Sequence, residues 1–148
     1  MTLFIDTWGW LALRDERDPG FQAANRAFWD ALDAGKQFYT TDYVLDETIT
    51  SIYVDYGGIK GEQILNDLLK TLKTSDVRVE EITRDRFQEA LRLRRRFRDK
   101  PKISFTDLTS MVVMRELGIT DILTADHHFA QVNLGFRFVP DRRQSCTP

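Results

Sequence analysis

Four acidic residues stand where a strand is predicted to give way to a helix, or just inside that helix: Asp6, Glu47, Asp107 and Asp126. In an open parallel sheet such junctions lie along one edge, outside the carboxyl ends of the strands. Carboxylates gathered there without counter-charge would repel one another, and a divalent cation bound between them would relieve the repulsion. The sequence therefore predicts a metal site whose chemistry is metal-assisted cleavage of a phosphodiester.

Each of these acids also has a purely structural interpretation. Asp107 has the spacing of a capping box at a helix start, and Asp126 can cap the short helix predicted after it. Glu47 can be a solvated helix residue. Asp6 is harder to explain in this way, because it directly follows an apolar strand, where an unpaired buried carboxylate is costly. The structural interpretations do not predict acids gathered at one sheet edge, which favours a shared site.

Hydroxyl side chains stand within three residues of three of the acids: Thr7, Ser104 and Thr124. Hydroxyls in such positions can orient carboxylates, metal-bound waters or a phosphate, and we predict this role for all three. Each of them is also a candidate turn or capping residue, so the two interpretations stay open.

Apolar runs predict the strands that must position these side chains, and helical patterns separate the strands. The predicted strands are Leu3-Phe4-Ile5, Gln37 to Thr41, Val77 to Ile82, Ile119 to Thr124 and Phe136 to Pro140. The third alternates apolar and charged residues, which predicts a position nearer an edge of the sheet. The alternation of strands and helices predicts an α/β fold with a central, mostly parallel sheet of four to five strands flanked by helices.

Helix boundaries are predicted from capping residues and breakers. Asp18-Pro19 is predicted to cap and open the helix that follows the first strand. Thr41 or Asp42 is predicted to cap the helix that carries Glu47. A later helix is predicted to run from Thr83 to Pro101, because the residue before a proline disfavours helix.

Composition limits the class of protein. The chain has 148 residues, and we predict one domain over residues 1–140 followed by a polar tail over 141–148. A formal net charge of −2 does not indicate a polycation, so nucleic-acid binding would require a local basic patch together with cations held by the acids. The sequence predicts no membrane span and no signal peptide, and its single cysteine, Cys146, favours a cytoplasmic protein.

One basic cluster is prominent, and we define it as Arg92, Arg94, Arg95, Arg96, Arg98, Lys100 and Lys102. A solvated helix face explains most of it, and contact with RNA phosphates is the alternative. Arg94 differs, because it falls in the middle of the predicted apolar stripe formed by Phe87, Ala90, Leu91 and Phe97. We therefore predict that Arg94 is more buried than Arg92 or Arg96, and that it snorkels, pairs with a buried acid or faces a partner.

Four motifs, in order, resemble PIN-domain ribonucleases, in particular the VapC-type toxins of bacterial and archaeal toxin–antitoxin pairs. They are Leu-Phe-Ile-Asp-Thr at the start, Thr-Thr-Asp-Tyr-Val-Leu-Asp-Glu-Thr around Glu47, Ser-Phe-Thr-Asp around Asp107, and Leu-Thr-Ala-Asp-His-His-Phe around Asp126. The resemblance extends from Leu3 to Pro140. The sequence departs from it at Gly20-Phe21, where many relatives carry a histidine.

The resemblance implies a parallel sheet wrapped by helices, Mg²⁺ or Mn²⁺ in an acidic pocket, and cleavage of single-stranded RNA. Its acidic quartet corresponds to Asp6, Glu47, Asp107 and Asp126, and its hydroxyl before the last acid corresponds to Thr124. As a hypothesis, the three aspartates bind metal directly or through water, and Glu47 is a ligand or orients the attacking water. Water activated at the metal would then cut the chain to leave a 5′ phosphate and a 3′ hydroxyl.

The resemblance also implies a homodimer and a small protein antitoxin that covers the acidic groove. Exposed aromatic residues would support such contacts, and the candidates are Trp8, Trp10, Tyr53 and Tyr56, although at least half of them are expected in the core. His127 and His128 adjoin the last acid, but two histidines at a helix start are more often packing or capping residues than metal ligands.

Two other functions are compatible with parts of the sequence. A catalytically silent PIN-like module could bind RNA or a protein without cutting, although an intact set of acids argues against it. A phosphotransfer or receiver-type domain would require paired acids after the first strand, whereas Asp6 is followed by Thr7-Trp8.

Overall fold

A five-stranded sheet forms the centre of the molecule in the computed structural model, which describes residues 1–141. The strands are β1 (Thr2–Ile5), β2 (Gln37–Thr41), β3 (Val77–Glu80), β4 (Asp121–Leu123) and β5 (Arg137–Val139), in the order β3-β2-β1-β4-β5. Every neighbouring pair is parallel, which confirms the predicted α/β fold and shows that the described sheet is wholly rather than mostly parallel. β3 lies at an edge, as its alternating sequence predicted.

Helices connect the strands and cover the sheet. They are α1 (Thr7–Ala12), α2 (Phe21–Asp33), α3 (Asp42–Tyr56), α4 (Gly58–Leu72), α5 (Arg84–Arg96), α6 (Phe105–Glu116) and α7 (His128–Gln131). The central strands carry the deepest apolar residues, because a strand covered on both faces has no solvent side. Leu3, Phe4 and Ile5 of β1, and Ile122 and Leu123 of β4, are fully buried. None of the helices within residues 1–141 is both long enough and apolar enough to cross a membrane.

The predicted start of α2 is wrong. The helix begins at Phe21, and Asp18 instead closes a turn, in which its Oδ1 accepts a hydrogen bond of 2.6 Å from the backbone N–H of Gly20. A side chain at Gly20 would also collide with the ring of Trp8, since a Cβ there would lie 2.5 Å from Cζ2. The Asp-Pro pair therefore serves a turn that brings α2 close to α1. By contrast, Thr41 caps α3 as predicted, accepting a 3.1 Å bond from Val44 N–H.

α5 ends at Arg96, several residues before the proline that was predicted to mark its end. The prediction that Arg94 is more buried than its neighbours is confirmed, since Arg94 is half-buried whereas Arg92 and Arg96 are exposed. Of the three alternatives for Arg94, pairing with a buried acid is wrong, because no acid within residues 1–141 forms an ion pair with it. Its guanidinium donates instead to three backbone carbonyls that follow α5, those of Phe97 at 2.8 Å, Lys100 at 2.7 Å and Ile103 at 2.5 Å.

The aromatic residues divide between core and surface. Trp10 is fully buried, and its indole N–H donates to Thr40 Oγ1 at 3.0 Å, while the Thr40 hydroxyl donates to the carbonyl of Ile5 at 3.0 Å. Tyr53 is 39% exposed, and Trp29, which the sequence analysis did not select, is 55% exposed.

The predicted tail over 141–148 lies outside the described residues except for its first residue. The cysteine, Cys146, lies outside them as well.

Candidate active site

The ends of β1 and β4 hold the first part of the site together. Asp6 follows β1 and caps α1, with Oδ1 accepting a 2.8 Å hydrogen bond from the backbone N–H of Gly9. Its Oδ2 accepts from the hydroxyl of Thr124, which follows β4. The same hydroxyl oxygen accepts a 2.9 Å bond from the backbone N–H of Asp126. Thr124 therefore links two of the predicted site acids, and both strand ends, through one side chain.

Close packing of α1 on β4 explains why Gly9 is needed between these elements. A Cβ at Gly9 would lie 2.7 Å from the carbonyl oxygen of Leu123 and 2.9 Å from Cγ2 of Ile5. The helix can approach the strand this closely only without a side chain at this position.

Asp107 and Asp126 lie at the starts of the last two helices. Asp107 is in the first turn of α6, where its backbone N–H donates to the capping hydroxyl of Ser104 at 3.0 Å. Asp126 precedes α7, and its Oδ1 accepts a 2.9 Å bond from the backbone N–H of His128. Both acids therefore lie at helix starts, but the N-cap of α7 is His127, with no side-chain cap bond, so Asp126 does not cap this helix as its structural interpretation predicted. The carboxylate of Asp107 also lies close enough to Asp126 and Glu47 for their charges to raise its pKa.

Glu47 joins the site from α3. It is half-buried, and its Oε2 accepts a 2.9 Å hydrogen bond from the hydroxyl of Thr7, the residue after Asp6. The bond connects the start of α1 to the second turn of α3. Thr7 thus orients a carboxylate, as one of the two interpretations of this residue expected.

The electrostatics of the acids show that they converge. Burial raises the pKa of Asp6 to about 7; hydrogen bonds from Thr124 and Gly9 oppose this rise, and the charges of Asp107 and Asp126 add to it. Burial likewise raises the pKa of Asp107 to about 6, with Asp126 and Glu47 adding to the rise. Within residues 1–141, no Lys or Arg forms an ion pair with any of these acids. The site therefore concentrates acidic groups that no Lys or Arg in this range neutralises.

The raised pKa of Asp6 predicts a pH-dependent effect of the Asp6→Asn substitution on stability. From about pH 4 to pH 7 the folded protein holds a proton that the unfolded chain has released, so the free energy of unfolding falls as pH rises. Asparagine keeps an oxygen for Gly9 and carries no charge. Without metal, we expect the variant to match the wild type near about pH 4 and to exceed it by on the order of 2 kcal/mol near about pH 8. Urea unfolding in EDTA measures the difference, and a wild type that is the more stable protein at the higher pH would contradict it.

His128 completes the cluster, and the sequence analysis did not select it as a site residue. Its Nδ1 lies 3.1 Å from Oδ1 of Asp126 and 3.5 Å from Oδ2 of Asp107. One ligand atom from each of these three residues lies within 4.8 Å of the other two. Asp6 and Glu47 are outside this tight group and act on it through charge. Two predicted acids are thus within ligand distance of each other, together with a histidine expected to pack or cap.

The residues of this cluster fit a divalent cation. The Nδ1 atom of His128 is buried and has no hydrogen-bond partner, although it faces two carboxylates. A buried polar atom without a partner is costly, and a bound cation would satisfy it. Carboxylate oxygens and an imidazole nitrogen are also the donors that divalent metals take from proteins.

Comparison with known proteins identifies the family. A model of the PIN domain matches residues 3–134. The chain belongs to the PIN-domain family. The match covers all four acids and confirms the resemblance on which the sequence analysis relied.

Solved structures with the same fold include one toxin. VapC20 of Mycobacterium tuberculosis, described as a Sarcin-Ricin loop cleaving toxin, is 30% identical, with 92% of this PIN-domain chain and 97% of VapC20 covered at a TM-score of 0.74. VapBC2 from Rickettsia felis, bound to a DNA fragment from their promoter, is 16% identical, with 94% and 99% covered at a TM-score of 0.71. At that identity the second structure shows the fold alone. None of the curated proteins compared with the chain matches it.

Proposed function

We propose that this PIN-domain protein is a divalent-cation-dependent ribonuclease that cuts single-stranded RNA, and that it acts in the cytoplasm as the toxin of a toxin–antitoxin pair. The observation that carries the proposal is the cluster of Asp107, Asp126 and the unpartnered Nδ1 of His128, with Asp6 and Glu47 beside it. The similarity to VapC20, described as a Sarcin-Ricin loop cleaving toxin, supports a toxin that cleaves, and the resemblance to PIN-domain ribonucleases supports the choice of RNA as the substrate.

Asp107, Asp126 and His128 are the residues that would hold the cation, here Mg²⁺ or Mn²⁺, with Asp6 contributing from the end of β1. A bound divalent cation would supply a Lewis acid that activates water and stabilises the charge that develops on the phosphate. Asp6 is held in place from two sides, by the hydroxyl of Thr124 and the backbone N–H of Gly9. These two donors hold the carboxylate of Asp6 at the carboxyl end of β1.

Glu47 is assigned to the attacking water rather than to the cation. It lies outside the tight ligand group, and the hydroxyl of Thr7 holds one of its oxygens at 2.9 Å. The other oxygen is left to orient a water and to accept its proton as the water attacks phosphorus. The bond from phosphorus to the 3′ oxygen then breaks, and the departing oxygen takes a proton from solvent water, which leaves a 3′ hydroxyl and a 5′ phosphate.

The ends of the RNA products test this function. Purified protein incubated with a labelled single-stranded RNA and Mn²⁺ is expected to yield fragments that carry 5′ phosphates and 3′ hydroxyls. EDTA should stop the reaction. A protein that binds the RNA without cutting it would instead establish the silent PIN-like module, and fragments with 2′,3′-cyclic phosphates would exclude the assigned attack by water.

The proposal includes a protein antitoxin and a homodimer. The resemblance to VapC-type toxins of toxin–antitoxin pairs, together with 30% identity to the toxin VapC20, supports an antitoxin partner. The exposed rings of Trp29 and Tyr53 provide apolar surface for contacts with other chains. We place the antitoxin over the acidic edge, where a covering segment would deny RNA access to the acids.

A further inference from the structure

The position of His128 relative to the two carboxylates is set by more than one contact. Its backbone N–H donates to Oδ1 of Asp126, the same oxygen that lies 3.1 Å from its ring Nδ1. The next residue, Phe129, is buried in the core, and its ring packs edge-on against Phe136 with centroids 5.9 Å apart. α7 is therefore anchored on the core side, and the anchor holds the imidazole against the acids.

His127 differs from its neighbour in every one of these respects. It is exposed, and neither ring nitrogen belongs to the group of potential ligand atoms. The two histidines are adjacent in sequence and belong to the same helix start. His127 therefore provides a neighbouring histidine control that lacks the contact with the carboxylates, although it is also more exposed and its ring lies edge-on to that of His128 with centroids 6.0 Å apart.

The distances around Nδ1 suit a shared cation. Ligands around an octahedral ion with bonds of about 2.0–2.1 Å lie roughly 3 Å from their nearest neighbours. The separations of 3.1 Å and 3.5 Å from Nδ1 to the two carboxylate oxygens are close to that value. The nitrogen is also buried and makes no hydrogen bond, although it lies within ion-pair distance of both carboxylates, which is the position expected of a third ligand.

We propose that Nδ1 of His128 is a direct ligand of the cation held by Asp107 and Asp126, and that this nitrogen makes the site prefer Mn²⁺ to Mg²⁺. Mg²⁺ is a hard ion that takes oxygen ligands almost exclusively, whereas imidazole is a good ligand for first-row transition metals. Replacing one oxygen by a nitrogen in the ligand set therefore shifts preference toward the transition metal. The inference rests on the proposed function only in placing a divalent cation at this site.

Pulsed electron paramagnetic resonance of bound Mn²⁺ tests the ligand directly, because a coordinated nitrogen modulates the electron spin echo. The wild-type protein and the His127→Ala variant are expected to show this modulation, and His128→Ala is expected to lose it. If the wild-type protein shows no coordinated nitrogen, the proposal is wrong. The wild-type spectrum decides the point even if the His128→Ala protein fails to fold, and His128→Gln provides a second variant without a ring nitrogen.

Calorimetric titration tests the preference. Mn²⁺ should bind the wild type more tightly than Mg²⁺. His128→Ala should weaken Mn²⁺ binding by at least about tenfold, because substitution of a residue that only hydrogen-bonds to a metal ligand already costs that much affinity. The affinity for Mg²⁺ should change much less, and His127→Ala should change neither. Equal losses for both ions would overturn the preference. A nitrogen-coordinated Mn²⁺ in a protein that does not cut RNA would contradict the proposed function and leave this inference standing.

Discussion

Asp107→Asn is expected to lower the rate of RNA cleavage by roughly a thousandfold or more, equivalent to about 4 kcal/mol of lost transition-state stabilisation. The substitution removes one negative charge from the tight ligand group and replaces a strong metal ligand by a neutral amide. The fold should be retained, because the hydrogen bond that caps α6 uses the backbone N–H of Asp107 and the hydroxyl of Ser104. Single-turnover cleavage of a labelled RNA at saturating Mn²⁺ measures the effect.

Asp46→Asn is the matched control for this substitution. It makes the same change of charge one residue from Glu47, but Asp46 is exposed and takes no part in the ligand group. We expect its cleavage rate to stay within about twofold of the wild type, since isolated surface charges have small effects. Cleavage by folded Asp107→Asn at the control's rate would remove Asp107 from the site.

Arg94→Met is expected to lower the free energy of unfolding by on the order of 3–5 kcal/mol, as three buried or half-buried carbonyls lose their donor at about 1–3 kcal/mol each. Methionine retains most of the apolar stem but donates no hydrogen bond. The carbonyls belong to Phe97, Lys100 and Ile103, and they hold the irregular segment between α5 and α6. Urea unfolding followed by circular dichroism measures the loss.

A second arginine on the same helix shows whether the expected loss of stability comes from the carbonyl contacts of Arg94 or only from the loss of a positive charge. Arg92 has a side chain that is 69% exposed and pairs with Glu89 on the surface, so Arg92→Met should cost about 1 kcal/mol or less. Ile103 directly precedes Ser104, the cap of the helix that carries Asp107, so Arg94→Met should also slow cleavage. Equal losses of stability in the two variants would show that the carbonyl contacts contribute little.

The sheet and its edge could be predicted from the sequence because their signals are local. Val77 to Ile82 alternates in the way a half-covered edge strand does, and Leu3 to Ile5 is apolar as a central strand must be. The convergence of the four acids could be predicted because each of them stands at a predicted strand end or within the first two turns of a predicted helix. Their common edge then follows from parallel topology.

What sequence could not predict depends on contacts between distant or irregular segments. The acceptors of Arg94 are backbone carbonyls, which every residue has, so no residue type indicated them. His127 and His128 are the same residue type side by side, and the bond from the backbone N–H of His128 to Asp126 and the anchoring of Phe129 in the core decide which ring turns toward the acids. The Asp-x-His spacing was visible, but its meaning depends on the three-dimensional position of Asp107 from another helix.

The central claim is that the acids at the carboxyl edge form one cation-dependent site for cutting RNA. The most direct test is the rate of single-stranded RNA cleavage by EDTA-treated wild-type protein as Mn²⁺ is added back. The structure predicts no cleavage before addition, and a rate that rises and saturates together with the Mn²⁺ bound at the site. Cleavage that proceeds unchanged in EDTA, or folded protein that binds Mn²⁺ at this site and leaves the RNA intact, would contradict it.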